Sequence, residues 1–191
     1  MRWNPPIDLS SAEARHCDRL IKHRRFYRFL RLHRHRLFDE AFQAELATLY
    51  SDTPRGNPPL PPARLAAVVL LQAYANVSDE DAVQLTVVDA RWQLVLDCLG
   101  AEDPPFKKTT LVDFRARLVR AGAHHALLRR TVDLARETHD FGSRQAAALR
   151  VAVDSVPRAG AGKVEDTLNL VGRALRQIGR ASCRERVSLN V

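Results

Sequence analysis

The chain has 191 residues, 46% of them hydrophobic and 27% charged, with a formal net charge of +8 at pH 7. Those proportions suit one folded domain, or one and a half, and exclude disorder over most of the length. The longest nearly unbroken apolar run, Leu65 to Ala75, is interrupted by Gln72 and falls well short of the ~20 residues that cross a bilayer. No apolar stretch follows the start Met1-Arg2-Trp3-Asn4-Pro5-Pro6, so neither a membrane span nor a secretory signal is expected, and a cytoplasmic protein is. Cys17, Cys98 and Cys183 are isolated and outside any CxxC spacing, which argues for reduced thiols rather than a disulfide framework or a zinc ribbon.

The charge is concentrated. Residues 1 to 36 hold ten Arg and Lys against Asp8, Glu13 and Asp18, and no acid occurs from Arg19 to Arg36. Phe26, Leu30 and Leu37 fall on one stripe at helical spacing, with Arg24, Arg28, Arg31 and His35 opposite, so an amphipathic helix with an arginine face is expected. Such a face either serves as a solvated surface or meets a polyanion. Helical spacing continues through Phe38, Phe42, Leu46 and Leu49. From Ser51 to Pro62 five prolines fall within nine residues, which forbids a helix and reads as a rigid connector.

Arg64 to Ala75 is apolar nearly all round and should be the buried centre of the N-terminal domain. Ser78 is a good N-cap, followed by Asp79, Glu80 and Asp81 where the helix dipole favours anions, and one helix is expected through Val83, Val87, Trp92 and Leu96. Gly100 and Pro104-Pro105 end it. A capped helix then begins at Thr109 or Thr110, with Leu111, Phe114 and Leu118 inward and Arg117 and Arg120 outward, and Ala123 to His139 forms another. Leu149-Arg150-Val151-Ala152-Val153-Asp154-Ser155 is a β-branched run with strand character. A turn over 157–162 and a helix over 164–177 follow.

An aspartate closing a buried strand can hold a metal or can simply form the turn, and Asp154 alone does not decide between them. Gly160-Ala161-Gly162-Lys163 lacks the first glycine and the hydroxyl of a phosphate loop. His33-x-His35 and His124-His125 have no carboxylate or cysteine partners at zinc-ligand spacing. No nucleophile elbow is present.

The longer pattern is more specific. Leu37-Phe38-Asp39-Glu40-Ala41-Phe42, Pro58-Pro59-x-Pro61-Pro62-x-x-Leu65, Val77-Ser78-Asp79-x-x-Ala82-Val83, Arg91-Trp92 and Phe114-Arg115-x-Arg117-Leu118 resemble, in order, the N-terminal domain of bacterial insertion-sequence DDE transposases. Residues 149–155 and 160–170 look like the start of that family's catalytic domain. The resemblance implies a mainly α chain: a helical DNA-binding domain over 1–141, then over 147–177 the first strand and helix of an incomplete RNase H-like α/β domain. Asp154 matches the first carboxylate of the DDE triad, catalytic and a ligand of Mg2+ in intact members. Arg24, Arg28, Arg31, Arg115, Arg117 and Arg120 become the candidate DNA contacts, the first three to phosphates and Arg117 and Arg120 to a groove, with His35 adding a contact when protonated.

The expected partner is double-stranded DNA at transposon terminal inverted repeats, with a homo-oligomer also open and a nucleoid-associated location. The acids after Asp154 are Glu165, Asp166 and Glu185, the first two at a helix start where capping accounts for them, so no complete triad is read. Ile178 to Val187 is the peptide encoded by a widely used short-read sequencing adapter in one frame. Residues 178–191 are therefore expected to be a non-native tail on a truncated transposase. The rival reading is a helical DNA-binding or regulatory protein without enzymatic activity.

Overall fold

A computed structural model describes residues 2–21, 24–50 and 60–141. Most of the proline-rich connector, the expected strand and helix over 147–177, Asp154 and the tail lie outside the described residues. Among the described residues there are eight helices and no strand. The mainly helical expectation therefore holds there, and the RNase H-like part falls outside.

Helix α1 (Ser11–Arg19) did not figure in the sequence reading. It is set by a reciprocal cap: the Glu13 N–H donates to Ser10 Oγ at 3.2 Å, and the Ser10 N–H donates to Glu13 Oε2 at 2.9 Å. Ser10-x-x-Glu13 is the sequence signature of that arrangement. α2 (Arg25–Leu37) begins later than the basic stretch suggested. Phe26, Leu30 and Leu37 are buried as the stripe required, yet Tyr27, Phe29, Arg31 and Arg34 are buried too. The reason is that α2 is covered by α6 on one side and α8 on another.

α3 (Glu40–Ala47) is capped by Asp39, whose carboxylate accepts from the Phe42 N–H at 2.8 Å. α4 (Pro62–Ala75) is the buried centre, touching α3, α5, α6 and α7. Pro62 occupies its first turn, where a missing N–H costs nothing. Its polar core residue, Gln72, has partners: Nε2 donates to Asp79 Oδ1 at 2.7 Å, and Oε1 accepts from Arg115 at 3.2 Å.

The single helix expected from Ser78 to Leu96 is two, α5 (Asp79–Val88) and α6 (Ala90–Leu96). Ser78 caps the first as expected, with Asp81 answering it. Asp89 makes the break. It sits in an extended conformation, its N–H closing α5 on the Leu85 carbonyl while its side chain accepts from the Arg91 N–H and opens α6. An aspartate at an N-cap satisfies a donor that a continuous helix would not have exposed.

α7 (Lys108–Arg120) starts before the threonines expected to cap it, after Lys107, which makes no side-chain cap. Leu111, Phe114 and Leu118 point inward and Arg117 and Arg120 outward, as the spacing required. α8 (Ala123–Glu137) follows after Ala121 and Gly122 and ends two residues short of His139. Gly122 has φ +69°, a conformation that a residue with a side chain reaches only under strain.

α8 runs antiparallel to α2. Arg130 donates to the Leu37 carbonyl at 3.1 Å, Arg36 pairs with Glu137, and His33 Nε2 lies 2.7 Å from Asp140 Oδ2. Phe141 completes the pairing edge-on to Phe29, with ring centroids 5.3 Å apart.

Candidate nucleic-acid interface

The arginine face expected on α2 is only partly a face. Arg31 is 1% exposed, and its position is a correction to the reading that set it toward phosphates. Its Nε donates to Glu13 Oε1 at 2.6 Å, and its terminal nitrogens donate to the carbonyls of Ile7 and Asp8. A buried guanidinium needs that many acceptors. The bond from Arg31 holds the Glu13 carboxyl at about 2, well below its ordinary value.

Arg34, one turn on, is buried as deeply. It donates to the carbonyls of Leu94 and Val95 at the end of α6, to the Pro6 carbonyl and to Asp97, and its guanidinium lies 5.8 Å from the Trp3 ring centroid. Burial pushes it down to about 10, so it remains charged at neutral pH. These two arginines strap the N-terminal segment and α6 onto α2. The carbonyls of Leu94 and Val95 at the C-terminal end of α6 are orphans that a cation suits.

Arg28 is half-buried, and one of its terminal nitrogens stands 3.7 Å from Asp140. Arg115 is held more firmly: it donates to both oxygens of Asp79, at 2.6 and 2.9 Å, within the network that includes Gln72. Its partners tie α7 to α4 and α5. Arg117 is exposed and lies over the Tyr50 ring at 4.6 Å. Arg24 and Arg120 are exposed. His35 is also exposed, and burial first, then His33 and nearby arginines, push its imidazole below its ordinary value. Asp154 lies outside the described residues.

Pairing separates the structural arginines from the available ones. Arg2 pairs with Glu40, Arg36 with Glu137, Arg91 with Asp89, Arg130 with Asp39 and Arg136 with Asp133. Among the described residues, exposed Arg15, Arg19, Arg24, Lys107, Arg117, Arg120 and Arg129 have no carboxylate partner. Arg15, Arg19 and Arg129 were not singled out from sequence. Arg129 stands one helical turn beyond His125 on α8.

α5 opens on Asp79, Glu80 and Asp81, of which Asp79 is paired with Arg115 and Glu80 with Lys108. Among the described residues no group of three or more His, Cys, Asp or Glu could hold a metal ion, and no helix is long and apolar enough to cross a membrane.

Comparison with known proteins gives one result. Residues 15–117, from α1 to the exposed end of α7, match the family described as Transposase domain (DUF772). No curated protein and no solved structure matches the chain. Since the matched segment covers more than half of the 191 residues, the chain belongs to the DUF772 transposase-domain family.

Proposed function

We propose that the helical unit binds duplex DNA at the terminal inverted repeats of a mobile element, as the N-terminal part of an insertion-sequence DDE transposase. The observation that carries this reading is the sorting of cations: nearly every arginine near a carboxylate is paired, while a set on α1, α2, α7 and α8 is left exposed and without one. Unpaired exposed arginines are what phosphate contacts require. Arg24, Arg117 and Arg120 retain the role that the sequence assigns them, Arg28 reaches phosphate by exchanging it for Asp140, and Arg115 serves mainly to position α7.

In this reading Asp154 is the first carboxylate of a DDE triad on the opening strand of an RNase H-like domain, and two Mg2+ ions held by three such carboxylates would activate the attacking oxygen. The helical unit binds and orients the DNA end. It places no metal ligand set of its own among the described residues.

The test is binding of the full chain to a labelled duplex as a function of salt. Affinity falling steeply with salt, and a slope reduced by about 0.9 for each of Arg24→Ala and Arg120→Ala, is the expected result. Salt-independent binding, or none, would reject DNA as the partner. Sequence-selective binding by a protein from an intact locus that never cleaves its site would favour the non-enzymatic regulator.

A further inference from the structure

The arginines of α2 differ in how firmly they are held. Arg31 and Arg34 are buried, each donating to several acceptors, and Arg25 donates from Nε to the Ile21 carbonyl at 2.9 Å. Arg28 is held loosely. One of its terminal nitrogens stands 3.7 Å from Asp140 Oδ1, too long for a hydrogen bond, and among the described residues its buried Nε has no partner. A guanidinium carries five N–H donors, and this one, 33% exposed, spends them on a single distant carboxylate.

The acid itself is carefully placed. α8 ends at Glu137, and His139, just past the C-cap Thr138, takes the left-handed conformation, φ 54°, where glycine is usual. The chain there comes back onto α2: Phe141 is buried edge-on against Phe29, and Asp140 Oδ2 lies 2.7 Å from His33 Nε2. An ionised carboxylate only accepts, so the proton of that contact sits on His33 Nε2. The Asp140 carboxyl lies below its ordinary range; burial works to raise it, and the His33 hydrogen bond and the Arg28 charge outweigh burial. A negative charge is thus fixed beside Arg28, one turn along from the exposed Arg24.

Resting on the DNA-binding reading above, we propose that Asp140 stands in for a DNA phosphate: its carboxylate occupies Arg28 in the free protein, and a backbone phosphate displaces it when duplex DNA binds at α2. The contact is autoinhibitory, because the affinity for DNA is reduced by the fraction of molecules in which Arg28 is still engaged. Exchange suits the geometry. A partly exposed pair at 3.7 Å contributes little and is readily given up, whereas a phosphate can accept two parallel N–H bonds from the same guanidinium. Asp140 and Phe141 also lie where the chain leaves α8 on its way to residues 147–177, so DNA at Arg28 loosens the hold of that exit on α2.

The experiment measures binding of the full chain to a labelled DNA duplex over a range of salt, for the parent, Arg28→Gln, Asp140→Asn and the double variant. Arg28→Gln should lower the log–log salt slope by about 0.9, for one phosphate. Asp140→Asn should bind roughly five- to tenfold more tightly with the parent's slope, because Arg28 no longer has to be released. In the Arg28→Gln background the same substitution should gain less than about twofold. An equal gain in both backgrounds would overturn the exchange in favour of a general charge effect, as would an unchanged slope in Arg28→Gln. DNA binding by the parent with no gain from Asp140→Asn would overturn the stand-in alone, while no binding by the parent would overturn it together with the DNA-binding reading. Hydrogen exchange on the unsubstituted chain needs no variant to fold: the amides of residues 138–141 should exchange faster with DNA bound, and unchanged or slower exchange would overturn the release of Asp140.

Discussion

Arg31 and Glu13, eighteen residues apart, form a buried ion pair that fastens α1 and the N-terminal segment to the middle of α2. The arginine is 1% exposed and the glutamate side chain 11%. Glu13 also answers Ser10 at the start of α1, so one carboxylate both caps a helix and neutralises a core cation.

That pair predicts an acid limb. The Glu13 carboxyl titrates at about 2 against an ordinary 4.5, and a depressed acid contributes stability that is present above 4.5 and lost as pH falls toward 2. The difference is worth about 3 kcal/mol. Glu13→Gln should lose that amount at pH 7 and flatten the decline of the melting temperature between pH 5 and 2. An unchanged acid limb would show that the pair does not couple to folding.

Arg34 predicts a loss that lysine does not restore. Removing it by Arg34→Met leaves the carbonyls of Leu94, Val95 and Pro6 without their donor, a cost of about 3 kcal/mol or more. A single ammonium cannot span acceptors that a guanidinium fork reaches together. Urea unfolding of both variants should place Arg34→Lys close to Arg34→Met; full recovery by lysine would contradict the shared-fork geometry.

Arg115 and Arg120 stand less than two turns apart on α7 and should behave oppositely. Arg115→Ala breaks a bidentate pair with Asp79 and should cost about 1–2 kcal/mol of stability with the salt slope of DNA binding unchanged. Arg120→Ala should leave the melt unchanged and lower the slope by about 0.9. Two assays on two proteins suffice, and a slope change in the Arg115 variant would place that residue on the DNA.

Catalysis follows from the carboxylates in the sequence. On the proposed reading Asp154 is the first of three carboxylates that would hold two Mg2+ ions. In an intact relative, asparagine at the matching position should abolish cleavage and spare binding. Cleavage by that variant would remove the aspartate from the triad.

Local chemistry was legible and distant pairing was not. The burial of α4 follows from an apolar sequence all round, the start of α5 from Ser78 and its acids, and the inward face of α7 from Leu111, Phe114 and Leu118. Each depends on neighbours within a turn or two. Arg31 looks like a surface cation because its partner is on another helix, and Arg34 because its acceptors are main-chain carbonyls that carry no sequence signal. Asp89 was readable as a helix start in principle, yet the apolar spacing of Val87 and Trp92 continues through the break and masks it. The sequence likewise carries the number of basic residues, while the set left unpaired is decided by which acids the fold brings alongside.

The reach of Arg34 also orders events during synthesis. Its acceptors at Leu94, Val95 and Asp97 emerge some sixty residues after it, and the Leu37 carbonyl waits longer still for Arg130. Until residue 97 has left the ribosome, the Arg34 guanidinium on α2 lacks its α6 acceptors, so α2 cannot close over α6, whereas the Arg31–Glu13 contact of α1 with α2 has both its partners. Closure of α2 over α6 and α8 should therefore come late, and nascent chains halted before α6 should be cut by protease within α2 more readily than those extended beyond α8.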